Sequence, residues 1–163
     1  RASGETLASA SAWNAQAPYG ADVISRIKAA SKPGGLERLR GLAAGQAAGL
    51  ISAACADAGV DPAALEAILC VGNTTMEHLF AGISPEGIGR APFTPTTYFT
   101  DGGSAALPGL PGAETRLALC VSGYIGGDTV ARRDKRGALF GGRVLVRRNR
   151  RGLAAGHLRH GHN

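Results

Sequence analysis

Two uninterrupted apolar runs, Ala67-Ile-Leu-Cys-Val71 and Leu117-Ala-Leu-Cys-Val121, constrain the fold more than any other feature of the chain. The first ends at Gly72 and is followed by Thr74-Thr-Met-Glu77. The second ends at Ser122-Gly123 and is followed by Gly126-Gly-Asp-Thr129. Short apolar runs without polar alternation suit parallel strands covered on both faces, and parallel neighbours require a crossover, usually a helix. The two strand–glycine–helix units therefore predict an α/β chain.

The remaining segments fit that plan. Arg1 to Trp13, with its Ser3-Gly4 turn signal, reads as the second half of a hairpin whose partner strand is missing. Asp22 opens a helix with Val23, Ile24, Ile27 and Ala30 on one face, stopped by Ser31-Lys-Pro-Gly-Gly35. Steps of three and four link Leu36, Leu39, Ala43, Ala47, Leu50, Ala54 and Ala58, predicting a long helix that ends at Gly59 as its C′ residue. Gly41, Gly45 and Gly49 recur inside it, so either another element packs closely there or the helix is weak. Asp61-Pro62 starts a short turn to Glu66. Thr74-x-x-Glu77 reads as a capping box for a helix with Met76, Leu79, Phe80 and Ile83 inward. Residues 84–113 form a long ordered excursion anchored by Ile88, Phe93, Tyr98, Phe99 and Leu107.

Charge divides the chain. The net +6 is a balance between residues 1–130, with 8 Lys and Arg against 11 Asp and Glu, and residues 131–163, with 10 against 1. The body is therefore mildly acidic, and the whole basic excess is terminal. Cys55, Cys70 and Cys120 are too few and too widely spaced for a disulfide framework, a zinc site or an iron–sulfur cluster. No stretch is apolar enough to span a bilayer, and the first residues lack a signal-peptide core, so a cytoplasmic protein is expected.

Ligands of open α/β sheets bind beyond the carboxyl ends of the strands. The candidate nucleotide- or anion-binding residues are therefore Gly72, Asn73, Thr74, Thr75, Ser122, Gly123 and Asp128. Backbone can approach a ligand closely at Gly72, and the free N–H groups of the next helix favour an anion. Equally, Asn73 or Thr74 caps that helix, and Asp128 either holds a metal-bound water or caps its own. Cys70 and Cys120 occupy matching places and read as buried, inert thiols. His78 has no evident partner. No catalytic set stands out, and no metal site is expected.

The run Trp13-Asn-Ala-Gln-Ala-Pro-Tyr-Gly-Ala-Asp-Val-Ile-Ser-Arg-Ile27, then Val71-Gly-Asn-Thr-Thr-Met76, Gly89-Arg-Ala-Pro-Phe-Thr-Pro95 and Cys120-Val-Ser-Gly-Tyr-Ile-Gly-Gly-Asp128, resembles the reductive activators of corrinoid proteins over residues 3–130. The resemblance implies a piece of an iron–sulfur ATPase of the acetate kinase, sugar kinase, heat-shock chaperone and actin superfamily. It implies an α/β, ribonuclease-H-like lobe with parallel strands and flanking helices, lacking its first strand. In that family ATP with Mg drives return of cob(II)alamin to cob(I)alamin for methyl transfer, and the [2Fe–2S] cluster sits in a domain absent here. The implied partner is the corrinoid protein of a methyltransferase system. The superfamily's Asp-x-Gly-Thr phosphate turn occurs nowhere in this chain. No cofactor is therefore expected on this piece, and it is expected to be inactive alone.

Residues 1–130 are read as one partial lobe, and the resemblance stops where the charge turns. Residues 131–163 carry nine arginines, one lysine and three histidines, and resemble GC-rich coding sequence read in a shifted frame. An Asp-x-Gly-Thr turn in either other frame of the gene would bear that out. The segment is expected to be poorly ordered beyond a short Val144–Val146 strand. The alternative reading is a non-enzymatic α/β module whose basic tail binds nucleic acid, although the tail has no interleaved aromatic residues. His157, His160 and His162 lack the acidic or Cys partners of a specific metal site.

Overall fold

The computed structural model describes residues 6–110, 112–131, 143–149 and 152–156. In chain order the elements are β1 (Thr6–Ser11), α1 (Val23–Ala30), α2 (Gly35–Asp57), β2 (Leu65–Cys70), α3 (Thr74–Ala81), β3 (Glu114–Leu117), α4 (Gly127–Ala131), β4 (Arg143–Asn149) and β5 (Gly152–Gly156). The strands form one mixed sheet in the order β1-β4-β5-β2-β3. β5, β2 and β3 run parallel, whereas β4 is antiparallel to both its neighbours.

Helix α1 begins where expected, because Asp22 accepts from the Ser25 N–H and from the Ser25 hydroxyl, both at 2.8 Å. Its inward face differs from the expected one. Ile27 and Ala30 are buried with Arg26, while Ile24 is exposed. Helix α2 closes on a Schellman arrangement in which Gly59 (φ 64°) donates to the Ala56 carbonyl and Val60 to that of Cys55. Leu39, Ala43, Ala47, Leu50 and Ala54 are buried along it, as their spacing predicts, joined by Ala44, Ile51 and Cys55. Of the two expectations for Gly41, Gly45 and Gly49, close packing does not hold among the described residues: all three are exposed, and a Cβ on any of them would meet nothing within 4 Å.

The core lies between α2 and the sheet. Ala43, Ala47, Ile51 and Ala54 meet Leu65, Ile68 and Leu117, with Phe80, Phe99, Leu107 and Leu110 closing the end. A smaller cluster of Leu39, Ala30, Met76 and Leu79 joins the three longer helices. Each fully buried leucine here contributes about 1.5–3 kcal/mol through removal of apolar surface from water. The 84–113 excursion is pinned by Ile88, Phe99 and Leu107 as expected, but Phe93 and Tyr98 are exposed.

Three strand expectations change. β2 starts at Leu65, directly after a single 3-10 turn capped by Asp61, and Leu69 is 46 % exposed, so one face of the strand is open rather than both covered. β3 lies at Glu114–Leu117, ahead of the apolar run, which continues past the sheet as loop with Leu119 and Val121 exposed. Thr115 and Leu117 are its buried residues, so alternation rather than a continuous run marks the strand. The basic segment differs most. The expected Val144–Val146 strand is part of a longer one, Arg143–Asn149, and a further strand, Gly152–Gly156, follows. Residues 132–142, 150–151 and 157–163, including His157, His160 and His162, lie outside the described residues.

Candidate functional site

The carboxyl end of β2 leads through Val71 and Gly72 into α3. The helix cap is Asn73, whose Oδ1 accepts from the Met76 N–H at 2.9 Å. The expected capping box is therefore shifted. Thr74 is the first helical residue, and its hydroxyl donates to the Ser122 carbonyl at 2.6 Å. Glu77 reaches back to accept from the Gly72 N–H at 2.9 Å and also accepts from the Cys120 thiol at 2.8 Å.

These bonds bring the two glycine-ended turns together. Asp128 N–H donates to the Gly72 carbonyl at 3.0 Å. Gly126 lies so close to Asn73 and Thr74 that a Cβ would collide with their backbone, and a Cβ at Gly127 would strike the Glu77 carboxylate. Glycine at both positions is thus a packing requirement. Of the seven candidates, Gly72, Asn73, Thr74, Ser122 and Asp128 are linked around Glu77. Gly123 instead backs onto the Phe93 carbonyl, and the buried Thr75 hydroxyl has no partner among the described residues. The Asp128 carboxylate accepts from the Thr129 N–H at 2.9 Å, inside the first turn of α4 rather than as its cap.

Burial sets the chemistry of this junction. Glu77 is almost fully enclosed, and desolvation pushes its carboxyl up to about 8 despite the bonds from Cys120 and Gly72, so it is mainly protonated at neutral pH. Burial likewise pushes the Cys70 and Cys120 thiols up to about 12. They are not sheet neighbours at matching positions, because the register sets Cys70 opposite Leu117. His78, for which the sequence offered no partner, is buried with Nδ1 2.7 Å from the Thr74 carbonyl, and Thr97 N–H donates to Nε2 at 3.4 Å. That pairing assigns the proton to Nδ1, and burial lowers the imidazole's pKa. His78 is a neutral structural bridge from α3 to the excursion.

The residues that sequence reasoning missed are those locking the Trp13–Ile27 run. Gln16, fully buried, donates to the Leu39 carbonyl at 2.8 Å, and Gln46 on α2 accepts from the Ala15 N–H at 3.0 Å. Arg26 donates to the Gly20 carbonyl at 3.0 Å and points Nη1 at the Met76 sulfur at 3.3 Å, with burial lowering its pKa. Their polar character disguised them as surface residues. Gly89 lies against Ile27, and the Phe93 and Tyr124 rings sit 5.5 Å apart. Each of the four sequence motifs therefore touches two of the others.

The enclosed space at this junction is too small for a nucleotide. The cavity between Ala43, Gln46, Gly72, Glu77 and Leu117 measures about 20 Å³, room for one water. A wider recess of about 250 Å³ beside Ala81, Thr97 and Ser104 has Asp101 as its charged lining residue, which repels phosphate. An iron–sulfur cluster does not fit either. Its ligands are thiolates, whereas these thiols are buried and neutral, and no group of three metal-ligating side chains occurs among the described residues. No helix there is long and apolar enough to cross a membrane.

Known proteins with the same pattern are corrinoid activators. The corrinoid activation enzyme RamQ of Eubacterium limosum is 32% identical over 133 residues, covering 79% of this chain and 22% of that protein. The solved structure of a reductive activator for a corrinoid, iron–sulfur protein superposes with a TM-score of 0.67 at 30% identity, over 87% of this chain and 25% of that one. The chain thus spans about a quarter of the length of the relatives it matches. A family model described as the RACo middle region matches residues 2–134, which include all four interlocked motifs, and the chain belongs to that family.

Proposed function

We propose that this chain is a lobe of an ATP-dependent activator that returns a corrinoid protein from cob(II)alamin to cob(I)alamin, and that its role is structural support and partner contact rather than catalysis. The observation that carries the reading is the family match over residues 2–134, two of whose motifs meet at Glu77 while the other two join them through Arg26 and Phe93. In this reading the lobe is ribonuclease-H-like. The alternation β1, α2, β2, α3, β3, α4 and the parallel pairing of β2 with β3 support it. In this reading ATP, Mg and the [2Fe–2S] cluster belong to parts of the activator beyond this stretch, and the lack of an Asp-x-Gly-Thr turn in the sequence supports it. The partner is a corrinoid protein of a methyl-transfer system.

Transplantation tests this directly. Residues 2–134 replace the matching stretch of RamQ, and cob(I)alamin formation on that enzyme's corrinoid partner is followed by its visible spectrum with ATP and reductant. The expected result is activity within about tenfold of the unaltered enzyme. A folded chimera that no longer forms cob(I)alamin refutes the reading.

A further inference from the structure

The wider recess, between the end of α3 and the chain from Thr97 to Ser104, has walls that are individually pinned. Thr97 N–H donates to His78 Nε2 at 3.4 Å, and the Thr97 hydroxyl accepts from the Phe99 N–H at 3.2 Å. Gly102 N–H donates to the Phe99 carbonyl at 3.1 Å, and Leu117 N–H to that of Gly103 at 2.7 Å. Phe99 itself is buried, with its ring edge-on to His78 at 5.1 Å and so close to Gly103 that a Cβ there would collide with it. Its backbone has φ 53°, a left-handed conformation that a bulky aromatic residue rarely takes. Such outliers persist only where the surroundings enforce them, and they gather at ligand clamps.

We propose that this recess is a binding site for a primary ammonium group on a short aliphatic stem, with Asp101 as its counter-charge. A volume of about 250 Å³ lies below the ~300–1,000 Å³ of sites for drug-sized ligands, so the occupant is small. Ala81, Ile83 and Phe99 offer apolar surface to a methylene stem, and Thr100, Asp101 and Ser104 offer oxygens to the head. An ammonium donates three hydrogen bonds and accepts none, and its rotatable donors suit acceptors spread over a loop better than the rigid fork of a guanidinium does. The carboxylate is open to such a group. Arg116, whose stem passes Gly102, is already held by Glu114 at 2.7 and 2.8 Å, and Asp101 enters no ion pair among the described residues. A calcium ion is a poorer occupant, because it takes six or more oxygens, usually from several carboxylates, and the lining supplies one. The pinned walls make the site preformed, so little ordering is lost on binding. A lysine side chain of another protein and a free alkylamine share this chemistry. The proposal goes beyond the corrinoid reading and does not depend on it.

Titration of butylammonium into the isotope-labelled full chain, followed by amide chemical shifts, tests it, with butanol as the neutral counterpart. The expected result is saturable shifts confined to residues 97–104 and the end of α3, with a Kd of about 1 mM, as befits so small a ligand. Butanol should bind at least tenfold more weakly. So should butylammonium to Asp101→Asn, a substitution at an exposed position. The contrast between the two probes is read on the unaltered chain, so it decides whatever the substitution does to folding. Nα-acetyl-lysine methylamide and putrescine, titrated in the same way, separate the sources: tighter binding of the first assigns the site to a lysine side chain of a partner, and of the second to a free amine. Butanol binding as tightly as butylammonium, an affinity unchanged in a folded Asp101→Asn variant, or no shifts in this loop overturns the proposal.

Discussion

The glycine stripe of α2 gives a prediction whose magnitude follows from geometry. Gly41, Gly45 and Gly49 sit in the interior of a 23-residue helix, are exposed, and have no atom within 4 Å of where a Cβ would stand. Nothing therefore offsets the intrinsic penalty of glycine, about 1 kcal/mol relative to alanine at each position. The triple variant Gly41→Ala/Gly45→Ala/Gly49→Ala should be more stable by about 3 kcal/mol, because the penalty at each site is intrinsic to its own backbone and the three share no partner. For a chain of this size about 1 kcal/mol raises Tm by roughly 2–4 °C, so the triple variant should melt about 6–12 °C higher. Each single variant should carry about a third of the shift. Differential scanning calorimetry measures it. A triple variant that melts at or below the parent temperature refutes the assignment of this face to solvent.

Much of the architecture was legible in the sequence, and the failures have physical causes. The α2 register, the Gly59 cap and the α1 start are local, set by spacing and capping chemistry that no distant contact overrides. The apolar run Leu117–Val121 misled because hydrophobicity marks burial rather than strand. Only Leu117 and Cys120 of it are in the core, and the strand proper reads Glu114-Thr-Arg-Leu117 with alternate residues inward. Glu77 was visible as a helix-start acid, but its bond to Cys120 joins residues 43 apart, which no local pattern reports. The place of the basic segment in the sheet was hidden for the same reason. Its charge argued for a solvated tail, while β1 and β2 determine where a further hairpin can pair.

Other predictions concern the junction and the absent chemistry. The Glu77 carboxyl rises from 4.5 to about 8 on folding, so its proton is held more tightly in the folded state. Stability should be greatest below about pH 4.5 on this account and fall as pH rises toward 8, by an amount on the order of 5 kcal/mol at most. Glu77→Gln should flatten that slope in urea titrations between pH 5 and 8, and an unchanged slope would assign it to another group. Asn73→Ala should cost about 1 kcal/mol through loss of the cap on Met76. Thr74→Val, which removes the bond to Ser122 but not the cap, should leave α3 intact by chemical shift; the reverse ranking would restore Thr74 as the capping residue. The pure chain should release no phosphate from ATP above buffer, and steady hydrolysis that survives removal of contaminants would contradict its non-catalytic role.

Isothermal titration of the full chain into a corrinoid protein loaded with cob(II)alamin, with a nucleic-acid duplex titrated in parallel, tests the central claim most directly. The account predicts saturable binding to the corrinoid protein that persists when salt is raised to a level that abolishes any duplex binding. Binding to the duplex alone, steeply weakened by salt and lost with residues 131–163, would contradict it.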